Sequence, residues 1–86
     1  MPTIFRHGGF RFYFFSDEGD PSEPVHIHVK RDRDEAKFWL NPAIELAYSF
    51  GFNAVELNQL RKLVEKNRTT IERAWHGYFG DGGSLR

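Results

Sequence analysis

The chain has 86 residues, and its 12 Lys and Arg are balanced by 12 Asp and Glu, so it carries no net field of the kind that draws a protein onto nucleic acid at large. Its length makes one domain, burying only about 60 to 65% of its unfolded surface, so stability is small and a partner or oligomer is expected. The complete lack of cysteine excludes disulfides and thiolate metal sites and makes a reducing compartment the default.

The start, Met-Pro-Thr-Ile-Phe-Arg, lacks the order of a signal peptide, and no apolar run approaches the length of a membrane span. The expectation is a cytoplasmic protein without a membrane. Nine Phe and two Trp are more aromatic volume than so few layers hide, so some aromatics should be exposed or in an interface.

Thr3–His7 meets Phe10–Phe15 across Gly8-Gly9, a two-residue hairpin signal. From Ser16 to Pro24 the chain is acidic and full of breakers, which reads as a surface loop carrying Asp17, Glu18, Asp20 and Glu23. Val25 to Arg31 follows as a third strand. Its alternation of Val25, Ile27 and Val29 with His26, His28 and Lys30 puts both imidazoles on one face. Positions two apart on a strand are separated by about 6.5 to 7 Å, close enough for both rings to serve one ion or one phosphate.

A turn through Arg31–Glu35 leads to a fourth strand, Ala36–Leu40. Sorted by parity, Phe10, Phe12, Phe14, Val25, Ile27, Val29, Ala36, Phe38 and Leu40 form the core face, and Arg11, Tyr13, Phe15, His26, His28, Lys30, Lys37 and Trp39 the other. Residues 43–52 alternate loosely and suit a short fifth strand or a helical turn. Asn53 with Glu56 reads as a capping box, opening a helix over Ala54–Lys66 with Leu57, Leu60, Leu63 and Val64 inward. Thr69 with Glu72 repeats that pattern before a second helix, Thr70–Phe79, striped by Ile71, Ala74, Trp75, Tyr78 and Phe79. The fold class is therefore α+β, a small antiparallel β-sheet of four to five strands followed by two C-terminal α-helices over residues 1–80, with 81–86 a flexible tail.

The order of Met1–Arg6, Phe10–Ser16, Glu23–Val29, Ala36–Leu40 and Ala74–Phe79 resembles the small bacterial family catalogued as domain of unknown function 4160. That resemblance implies no activity, and it implies a setting of toxin-antitoxin-like operons beside another short protein. Relatives often carry Pro-Pro before the first strand histidine and an acidic residue after its last valine; here Pro24-Val25 and Lys30 stand, so no role for a carboxylate at position 30 is carried over.

Three readings of the His26/His28 face follow. The leading one is a protein-interaction module, with Phe15, Trp39 and Trp75 as exposed anchors for an operon neighbour or a second copy. The second is a metal-independent endoribonuclease: His26 and His28 are the catalytic acid-base pair, Arg11, Lys30 and Lys37 hold phosphate, and Tyr13 and Trp39 stack RNA bases. The third is a divalent metal held by His26 and His28, with a third ligand from the acidic loop. Elsewhere plainer roles suffice. His7 reads as a solvated turn residue, His76 as a partner of the helix dipole, and Arg61, Lys62, Lys66 and Arg68 as a solvated helix face.

Overall fold

Gly8 and Gly9, both at positive φ (51° and 86°), turn strand β1 (Thr3–His7) back into β2 (Phe10–Tyr13), a conformation that suits glycine and the twist of a tight hairpin. The computed structural model describes residues 2–15 and 23–80. Most of the expected acidic loop, including Asp17, Glu18 and Asp20, and the expected tail 81–86 lie outside the described residues. β3 (His26–Arg31) pairs antiparallel with β2 and turns through Asp32-Arg33 into β4 (Asp34–Trp39). Asp32 takes φ 54°, which a short carboxamide or carboxylate side chain tolerates better than most.

The segment that suited either strand or helix is a strand, β5 (Glu45–Phe50). The five strands form one antiparallel sheet in chain order, β1-β2-β3-β4-β5, leaving β1 and β5 as its edges. Helices α1 (Ala54–Lys66) and α2 (Arg68–Phe79) complete the α+β fold. Their buried residues Leu60, Val64, Ile71 and Trp75 join Phe12, Phe14, Ile27, Val29, Ala36, Phe38 and Leu40 in one core, the face that strand parity assigns.

The start of α1 follows the capping box. The Glu56 amide donates to Asn53 Oδ1 at 2.8 Å and the Asn53 amide donates to Glu56 Oε1 at 3.0 Å, which satisfies two otherwise unpaired helix donors. Arg31 ties this end to the sheet through Glu56 (2.6 Å) and Asp34 (2.9 Å), with its guanidinium 5.2 and 5.3 Å from the Phe10 and Phe52 ring centroids.

The start of α2 departs from expectation. It begins at Arg68, directly after Asn67, which is at once the C-cap of α1 and the N-cap of α2; Thr69 supplies no cap. The Asn67 side chain donates back to the Leu63 carbonyl at 2.8 Å instead, holding the interhelical corner. Arg68 is likewise no bystander on a solvated face. Its Nη2 donates to the Leu40 carbonyl at 3.0 Å and its Nε lies 3.3 Å from Glu72, so it anchors the second helix to the end of β4.

Candidate functional site

Register across the sheet lays the second face out in rows. Arg11, Lys30, Glu35 and Phe50 are successive partners in one row, Tyr13, His28, Lys37 and Tyr48 in the next, and His26, Trp39 and Glu45 in the third. All the site residues expected from sequence therefore share this face. His26, His28, Tyr13, Lys37 and Trp39 form its centre, while Arg11 and Lys30 lie one row away.

The two imidazoles are neighbours, with ring centroids 5.2 Å apart and planes nearly perpendicular (88°). They are also buried. His26 is 0% exposed and His28 3%, although nothing in their strand parity requires it. His28 lies between Tyr13 (5.5 Å, stacked) and Phe15 (4.4 Å, edge-on), and His26 touches Trp39 (5.3 Å) and Trp75 (4.9 Å). Trp75 departs from its expected place as an exposed anchor: it is 5% exposed and belongs to the core.

A buried imidazole needs hydrogen bonds to offset its lost hydration. His26 Nδ1 stands 2.9 Å from the Pro24 carbonyl oxygen, an acceptor, so this nitrogen carries the proton and the neutral ring has its lone pair on Nε2. Glu23 Oε1 lies 3.9 Å from the same nitrogen and 3.3 Å from Lys37 Nζ. Lys37 in turn sits 4.2 Å above the Trp39 ring, so a carboxylate, an ammonium and an indole close over the His26 end of the row. At the other end the Arg11 guanidinium covers Tyr13 at 4.7 Å and its Nε donates to Thr3 Oγ1 at 2.7 Å. Among the described residues, no group of three or more His, Asp or Glu side chains is gathered as a metal site.

Beyond the imidazoles, the same face ends in exposed apolar side chains on the edge strand. Tyr48 and Phe50 of β5 are exposed, Phe50 at 63%, with their rings 5.6 Å apart, whereas Leu46, also exposed, pairs with Phe38 across a register shift and so belongs to the opposite face. The sequence reading missed these residues. Their alternation is visible in it, but whether an alternating strand lies at an edge depends on pairing order.

Comparison with known proteins adds a family and no activity. The model of the family described as "Domain of unknown function (DUF4160)" matches residues 9–76. No curated protein and no solved structure matches the chain. Among the described residues, no helix is long and apolar enough to cross a membrane.

Proposed function

This chain belongs to the DUF4160 family, and from that premise we propose that it works mainly as a protein-interaction module, one half of a bacterial toxin-antitoxin-like pair. The observation that carries this reading is the contrast within one face. Its titratable centre is sealed by aromatic rings, while its apolar side chains Tyr48 and Phe50 on β5 stand in solvent. An edge strand offers backbone donors and acceptors as well as side chains, and β5 has neither Lys, Arg nor Pro to discourage pairing. The opposite edge, β1, carries Arg6 and His7. The cytoplasmic setting and the operon neighbour as partner belong to this proposal, and a second copy of the chain is the competing occupant of the same edge.

The endoribonuclease reading is kept because the His26 and His28 rings touch, the arrangement that an acid-base pair requires. Burial weighs against it, since substrate has to reach both rings.

One experiment separates the two. Co-expression with the operon neighbour is expected to yield a complex that survives size exclusion, and Phe50→Glu is expected to abolish it while leaving the melting temperature unchanged. A complex indifferent to Phe50→Glu and Tyr48→Ser would overturn the β5 surface. Cleavage of RNA by the chain alone, lost in His26→Ala with folding intact, would replace the interaction reading by the enzymatic one.

A further inference from the structure

On the other side of the molecule the tip of the β1-β2 hairpin faces the second half of α1 across a cleft of about 440 Å³, lined by His7, Gly8, Phe10, Gln59, Lys62, Leu63 and Lys66. This volume is in the range of small-molecule sites. The four helical residues follow the spacing i, i+3, i+4 and i+7, so one stripe of α1 presents Leu63 flanked by an amide and two ammonium groups. Facing it are an imidazole and the Phe10 ring, which closes the apolar side. Among the described residues, no carboxylate lines the cleft. Lys62, Lys66 and His7 form no ion pair among the described residues, whereas Arg31, Lys37 and Arg68 all have carboxylate partners.

We propose that this cleft is a binding site for a small phosphomonoester with an apolar or aromatic body. The charge decides the class. Two lysines are point charges that suit a dianionic phosphate approached from several directions, and among the described residues no arginine lines this cleft. His7 adds an N–H donor, Gln59 an amide, and Phe10 with Leu63 accounts for the apolar part of the ligand. A carbonyl-rich helix end near Lys66 lowers the field there, so the phosphate is expected nearer Lys62 and His7 and the body nearer Leu63. The site is independent of the β5 edge and of any reading of the imidazole pair.

The test is a titration of the whole, isotopically labelled chain with phenyl phosphate, inorganic phosphate and phenol, read by amide chemical shifts. Phenyl phosphate is expected to give saturable shifts at Gly8, Phe10, Leu63 and Lys66, with affinity above that of either half of the molecule alone. Lys62→Gln with Lys66→Gln, both exposed positions, is expected to weaken binding at least about tenfold with the spectrum otherwise preserved. Equal affinity for inorganic and phenyl phosphate would leave only a diffuse anion effect and overturn the proposal. So would shifts centred elsewhere, or binding indifferent to the double substitution.

Discussion

The His26 ring stands against the Trp75 indole, centroids 4.9 Å apart at 62°, although one side chain starts a β-strand and the other lies near the end of the last helix. At this end of the sheet the β2-β3 ladder stops at Tyr13↔His28. Beyond that pair Phe14 donates its amide to Pro2 instead, and Trp75 packs on Phe14 (5.1 Å) as well as on His26. One indole thus joins the core to the buried imidazole pair.

Trp75→Ala is therefore expected to cost about 3–5 kcal/mol, the range for deleting a large aromatic from a core. In a domain this small that is a large part of the total stability. Urea unfolding followed by fluorescence of the remaining Trp39 measures it; a loss below about 1 kcal/mol would mean that Trp75 is not packed as described.

His26→Ala removes the bond to the Pro24 carbonyl and leaves a cavity among rings, so it is expected to destabilise the fold by about 1–3 kcal/mol. A solvated acid-base residue would behave otherwise, with folding unchanged by its removal. Comparison of the unfolding midpoints of His26→Ala and wild type decides between these outcomes.

The two glycines at Gly51 and Gly77 should respond to alanine with opposite signs. Gly51 sits at φ 90° and an added Cβ would run into the Asp34 carboxylate, which Arg31 holds, so Gly51→Ala is expected to cost about 1–3 kcal/mol. Gly77 lies within α2 with open space around its Cα, so Gly77→Ala is expected to add about 0.5–1 kcal/mol. Paired thermal melts read both, and a shared sign would contradict the backbone geometry.

The Glu56 carboxyl is held below its ordinary pKa, first by the Asn53 backbone amide and then by the Arg31 guanidinium. A depressed carboxylate contributes stability that is fully present above its unfolded value of about 4.3 and is lost as the pH falls through the folded value. Stability should therefore decline on acidification through and below the usual glutamate range. Glu56→Gln, which keeps the reciprocal cap but not the charge, is expected to flatten that part of the curve; an unchanged acid limb in the variant would assign it to other carboxylates.

Local chemistry alone determined most of the frame. Gly8-Gly9 dictates its hairpin because only positive φ closes so short a turn, and Asn53 with Glu56 dictates the start of α1 because an unsatisfied helix end recruits those two side chains. Parity likewise placed His26, His28, Tyr13, Lys37 and Trp39 on one face, since pleating allows no other arrangement once the strands pair. Thr69 and Glu72 resembled a cap as closely, yet a one-residue corner at Asn67 was enough to start the helix earlier.

Tertiary structure decided what covers that face and what it leaves open. A side chain's own strand reveals which way it points and nothing about what arrives above it, so the burial of His26 beneath Trp39 and Trp75 depends on contacts across 13 and 49 positions of sequence. In the same way, β5 became an unprotected edge, and the cations of α1 came to face His7, only through the order in which the elements pack.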